Sequence, residues 1–130
     1  MKASKRKMNK IFIVLLMIFL HIVDDYYLQG WLASAKQRSW WEDNAPEEMY
    51  KHDYIWALLM HGFSWSFMVM LPIAYMENFD VTVWFAVSLV CNALIHSIVD
   101  NAKANKKAIN LITDQCIHIL QIVVTALVWL

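Results

Sequence analysis

LITDQCIHILQIVVTALVWL, residues Leu111–Leu130, carries one formally charged side chain, Asp114. Its length is about the 20 residues a helix needs to cross the hydrocarbon core of a bilayer. Asp114, His118, Gln121 and Thr125 recur three or four residues apart, which places them on one helical face. Beyond them, Ile122–Leu130 is apolar nearly all round. In water such a segment needs burial on every side, and a chain of 130 residues cannot supply it. In lipid it needs neighbours only along the polar stripe. The stretch therefore reads as a membrane-spanning helix.

Three more stretches read the same way: Ile11–Gln29, ended by Gly30; Tyr54–Met76, with Pro72 late in it; and Val81–Asp100. The composition agrees, with 60% hydrophobic residues, 17% charged, two glycines and two prolines. The expected fold is all-α: one four-helix transmembrane domain over residues 11–130, preceded by a basic N-terminal tail, residues 1–10. The tail and first apolar run resemble a signal peptide, but no small-x-small cleavage site follows them, so a retained first helix is expected. Between the first and second spans, Trp31–Asp53 carries Trp31, Trp40 and Trp41 among charged residues. Tryptophan favours the membrane–water interface, so part of this loop should lie along the surface.

Eleven basic and eleven acidic residues cancel, which gives no electrostatic basis for nucleic-acid binding. Cys91 and Cys116 lie in apolar runs without a CxxC pair and read as packing residues. No Ser/His/Asp or Cys/His nucleophile arrangement and no glycine-rich phosphate loop stands out.

The polar residues of the spans are more informative. A charge at the centre of a membrane helix costs about 2.5–3.5 kcal/mol on insertion scales. Here the ionisable residues gather at one depth. His21, Asp24, Asp25 and Gln29 lie late in the first span and His61 early in the second. His96 and Asp100 end the third, and Asp114 and His118 begin the fourth. Because alternate helices run in opposite directions, all of these meet on one side. His21/Asp25, His96/Asp100 and Asp114/His118 share the i, i+4 spacing that lets an imidazole and a carboxylate bind one metal ion or each other. Asp24 fits either the edge of its stripe or the mouth of the site.

The reading is a centre for one or two divalent transition-metal ions, Zn, Fe or Mn, held by His21, Asp25, His61, His96, Asp100, Asp114 and His118. Asp24 or Asp114 would serve as general base. Gln29, Asn92, Lys103 and Gln115 would support the ligands from behind. A metal-dependent hydrolase acting near the headgroups on a lipid or lipid-linked substrate is the leading expectation. The alternatives are a proton, ion or solute transporter subunit, completed by homo-oligomerisation, and a non-catalytic membrane interaction protein whose polar network fixes packing.

These same residues resemble a family of small bacterial and phage membrane proteins of unknown function. Its pattern H-x-x-x-D-[FY]-x-L-Q is matched by His21, Asp25, Tyr26, Leu28 and Gln29, followed by Trp31 and Lys36. His61 matches a mid-chain histidine, His96 and Asp100 a second H-x-x-x-D with Lys103 after it, and Asp114, Gln115 and His118 a final D-Q-x-x-H. The likeness spans Leu20–Leu120; Lys2–Lys10 is an addition, and the loop after Gln29 is one residue shorter. The resemblance implies a membrane location, expected to be the bacterial inner membrane, and a polar site without an assigned reaction. At the level of analogy, the HxxxD motifs are also similar to those of integral-membrane metal-dependent hydrolases. Orientation is balanced: Lys2, Lys5, Arg6, Lys7 and Lys10 flank one side, and Lys36, Arg38, Lys51, Lys103, Lys106 and Lys107 the other.

Overall fold

The computed structural model describes residues 9–130. The basic tail, apart from Asn9 and Lys10, lies outside them. The chain runs α1 (Lys10–Ile22), a π-helical turn (Val23–Leu28), α2 (Leu32–Ala35), α3 (Arg38–Asn44), a 3-10 turn (Glu48–Tyr50), α4 (Asp53–Met76), α5 (Val83–Ala104) and α6 (Leu111–Trp129). Four stretches, Lys10–Leu28, Glu48–Met76, Val83–Ala104 and Leu111–Trp129, are long and apolar enough to cross a membrane. By the length and composition of its helices this is a membrane protein with an all-helical fold.

Local chemistry sets the helix ends. The side chains of Asn9, Thr82 and Asn110 accept hydrogen bonds from the amides of Ile11, Phe85 and Thr113, satisfying donors that a helix N-terminus leaves open. After α4, Asn78 and Phe79 take the left-handed conformation, and the Phe79 amide returns to the Ala74 carbonyl at 2.7 Å. That return reverses the chain between α4 and α5. Pro72 neither ends nor interrupts α4, which runs on to Met76 with the ring buried. Gly30 (φ 51°) closes the π-helical turn.

Around the bundle α1 packs on α4, α4 on α5, α5 on α6, and α6 back on α1. The closest approach is between α4 and α5. A Cβ on Gly62 would lie 2.6 Å from the Ala93 carbonyl and would collide with the Ser97 hydroxyl. Small residues at such a crossing let two backbones come together in lipid, where the hydrophobic effect does not drive helices into contact. The half of the bundle remote from the polar residues is packed with Ile13, Met17, Val69, Met70, Ile73 and Ile122. Its outer surface exposes Phe12, Leu15, Phe19, Phe67, Leu120 and Leu127, as a lipid-facing surface would.

The connection between α1 and α4 is more ordered than a loop. Trp31, Trp40 and Trp41 pack edge to face with centroids 5.0–6.0 Å apart. Trp41 Nε1 donates to the Ala35 carbonyl at 2.7 Å. Asn105, just after α5, ties the segment down: its side chain donates to the Lys36 carbonyl and accepts from the Arg38 amide.

Candidate metal centre

Each buried polar residue is delivered by its helix. At the end of α1 the backbone widens into the π-helical turn, and Asp24 and Asp25 are both buried. In a regular α-helix two consecutive residues diverge by a large angle. The wider turn brings both carboxylates inward, a use of π-turns recurrent at functional sites. His61 comes from the first half of α4, His96 and Asp100 from the end of α5, and Asp114 and His118 from the start of α6. His61, His96, Asp100, Asp114 and His118 are at most 1% exposed.

Two groups of ligand atoms converge: Asp25, His61, His96 and Asp100, and beside them Asp25, Asp114 and His118, within 4.8 Å in each group. In the first, His61 Nε2 lies 3.1 Å from Asp25 Oδ1, 3.4 Å from Asp100 Oδ2 and 3.2 Å from His96 Nε2. His96 Nε2 lies 3.7 Å from Asp25 Oδ1 and 3.8 Å from Asp100 Oδ1. Ligands bound at about 2.0–2.1 Å around one ion stand roughly 3.3 Å apart when tetrahedral. The observed separations straddle that figure. Two imidazole nitrogens 3.2 Å apart can share one proton at most, so a lone pair faces into the group. Nitrogen and carboxylate oxygen donors together suit Zn, Fe or Mn. The residues present therefore fit a divalent ion.

Behind these atoms lies a supporting layer. Asp24 sits on the far side of His61, its Oδ2 3.8 Å from His61 Nδ1, and Ser64 Oγ donates to its Oδ1 at 2.6 Å. At 3.8 Å, Asp24 Oδ2 and His61 Nδ1 are not hydrogen-bonded, and both are buried without a hydrogen-bond partner among the described residues. The negative charge of a carboxylate on this side favours a proton on Nδ1, which leaves Nε2 to face forward. Trp65 forms the floor: its indole stacks on His96 at 4.3 Å and donates to His21 Nδ1 at 2.7 Å. His118 stacks on His96 with centroids 4.0 Å apart and also lies beside Trp65, 5.6 Å away. Its Nε2 lies 3.3 Å from both Asp100 Oδ1 and Asp114 Oδ1.

Two lysines enter. Lys36, at the end of α2, is buried, and its Nζ donates to Asp100 Oδ2 at 2.6 Å. Lys103 donates to Asp114 Oδ2 at 2.6 Å. Gln115 joins the two sides, its Nε2 lying 3.0 Å from both Asp25 Oδ2 and Asp114 Oδ2.

The residues singled out in the sequence thus take different places. Asp25, His61, His96, Asp100, Asp114 and His118 bring ligand atoms together. His21 stands beside them with both ring nitrogens engaged, Nδ1 by Trp65 and Nε2 by Gln115 Oε1 at 3.0 Å. Its lone pair is turned to an indole N–H and away from the convergence point. Gln29 turns back on its own helix and donates to the Asp25 carbonyl at 2.5 Å. Asn92 lies a turn deeper in the membrane, where it bonds with Gln121 and Thr125 in a separate α5–α6 network. Lys103 and Gln115 do contact the carboxylates. Lys36, which matches the family's lysine, and Ser64 and Trp65 join the site although the i, i+4 His/Asp pairs do not include them. Ser64 and Trp65 stand three and four residues after His61, a spacing that signals the same face. Lys36 lies in a connection, where periodicity carries no signal.

A family model described as a protein of unknown function, DUF3307, matches residues 11–130. No curated protein and no solved structure matches the chain.

Proposed function

The chain belongs to the DUF3307 family, and from that premise and the geometry above we propose a membrane-embedded, metal-dependent enzyme of hydrolase type. The observation that carries the reading is the convergence of Asp25, His61, His96 and Asp100 on one point at the end of a bundle whose remote half is packed mainly with apolar side chains. A divalent ion, which Asp25, His61, His96 and Asp100 would hold, would supply Lewis acidity and lower the pKa of water towards neutrality. Four protein ligands would complete a tetrahedral zinc site, which is the arrangement of a structural centre. The same four residues would leave room for substrate on an ion that takes more than four ligands, such as Mn or Fe.

The chain's own residues divide the remaining work. Asp24 and Ser64 orient His61. His118, between Asp100 and Asp114, is the group positioned to take and return a proton, which puts the acid–base role on the Asp114–His118 pair rather than on Asp24. Lys36 holds Asp100 and offers positive charge to an anion developing in the reaction. Trp65 and the apolar half of the bundle exclude water from below. Gln115 and Lys103, the partly exposed members, mark the approach from the membrane surface. A substrate reaching the centre from there has a polar group at headgroup depth and an apolar remainder in the bilayer, as a lipid or lipid-linked molecule does. Transport is the weaker reading, because Ile13, Met17, Val69, Ile73 and Ile122 fill the path to the opposite face.

Elemental analysis of detergent-purified protein beside a His61→Ala/His96→Ala variant tests this reading. Stoichiometric transition metal in the wild type and its loss in the variant are expected. A metal-free wild type from metal-supplemented growth, or proton flux in liposomes that the double variant abolishes, would displace the enzyme in favour of a relay.

A further inference from the structure

The two convergent groups share Asp25, and a pair of ions bridged by that carboxylate is the obvious extension of the metal reading. The hydrogen bonds argue otherwise. In the Asp25/Asp114/His118 group, Asp114 Oδ2 receives the Lys103 ammonium at 2.6 Å and the Gln115 amide at 3.0 Å. The same amide reaches Asp25 Oδ2 at 3.0 Å. The Oδ2 atoms of both carboxylates in this group are therefore taken by N–H groups of the chain itself, which leaves Asp114 Oδ1 as the one carboxylate oxygen there without a hydrogen-bond partner. In the first group Lys36 likewise holds Asp100 Oδ2 at 2.6 Å, but the other three ligand atoms, Asp25 Oδ1, His61 Nε2 and His96 Nε2, face one another with no lysine or amide donor of the described residues bonded to them.

Charge leads to the same result. Asp24, Asp25, Asp100 and Asp114 are buried together, and Lys36 and Lys103 are the ammonium groups paired with them. With the imidazoles neutral, as metal ligation requires, two negative charges remain. One divalent ion cancels them; a second would leave a comparable excess of positive charge in a low-dielectric interior.

We infer that the centre binds a single divalent ion at Asp25, His61, His96 and Asp100, and that Lys103 and Gln115 occupy the neighbouring carboxylate cluster as a built-in substitute for a second. The inference rests on the metal-centre reading above. It assigns Lys103 the task of keeping Asp114 and His118 free of metal, so that they remain able to exchange a proton.

Titration of metal-stripped, detergent-solubilised protein with Mn2+ tests it, with bound metal measured after desalting and paramagnetic resonance used to separate isolated from coupled ions. The wild type should retain one equivalent with the spectrum of an isolated ion. Lys103→Met should retain two, with spin coupling between them. Lys103→Arg, which keeps the charge, should stay at one. A coupled pair in the wild type would overturn the inference and leave the metal centre standing. A Lys103→Met protein that still takes one equivalent would overturn the role given to Lys103. If Lys103→Met does not fold, the wild-type stoichiometry decides by itself. No retention of Mn2+, Fe2+ or Zn2+ by the wild type would remove the metal centre and this inference with it.

Discussion

Asp24 and Asp25 are sequence neighbours of identical chemistry with different surroundings. Asp25 divides its oxygens, one facing His61 and His96 and the other bonded to Gln115. Asp24 faces the back of His61 and is steadied by Ser64. Replacing each should therefore have a different result. Asp24→Asn removes charge behind His61 without removing a ligand atom. By the usual cost of losing such a partner, metal affinity should fall about 10–100-fold, as measured by competition with a chromophoric chelator. The thermal midpoint of the metal-stripped protein should change little. Loss of all binding would make Asp24 a ligand, and unchanged affinity would make it a bystander. The i, i+4 rule identified His96/Asp100 and Asp114/His118 because regular helices deliver them. It could not place Asp24, since the π-helical turn departs from that periodicity. Nor could it place His21 correctly in detail: the stripe points inward, but Trp65 and Gln115 decide what its nitrogens touch.

Among the elements, α4 and α5 determine whether the centre closes. His61 is followed by Gly62 and His96 by Ser97, and Gly62 and Ser97 are where the two helices meet. The imidazole separation of 3.2 Å is thus coupled to the absence of one methyl group. Gly62→Ala should force the helices apart at a cost of about 1–3 kcal/mol, the range for overpacking. Weaker metal binding should accompany the lower thermal midpoint in detergent. An alanine variant with wild-type affinity would show that the crossing does not set the site. The segment from Trp31 to Tyr50 shows what periodicity misses. Its tryptophans announced an interfacial location, but nothing in their pattern indicated that Lys36 would reach Asp100 across 64 positions of sequence. That contact depends on Asn105 and Trp41 pinning a four-residue helix over the end of the bundle.

For the molecule as a whole, polarity is arranged inside out along half of its length. Imidazoles, carboxylates and lysines are interior at one end, while Leu120, Phe67 and Leu127 are exposed. Water would disfavour that surface; hydrocarbon accepts it. Leu120 lies midway along α6 and outward-facing. Leu120→Arg should cost about 2.5–3.5 kcal/mol on insertion scales and reduce the carbonate-resistant membrane fraction, whereas Leu120→Phe should not. Equal membrane recovery of the arginine variant would indicate that this face is covered by protein.

The chain's sequence by itself determined the four apolar helices, their antiparallel order and the depth at which the ionisable residues gather. Each follows from composition, length and spacing, which act locally. The tertiary structure decided which of those residues share ligand atoms, that Lys36 and Trp65 join them, and that Gln29 and Asn92 serve elsewhere. Those outcomes depend on helix rotation, a π-helical turn and a glycine crossing, and each sets contacts of 2.6–3.2 Å between residues far apart in the chain.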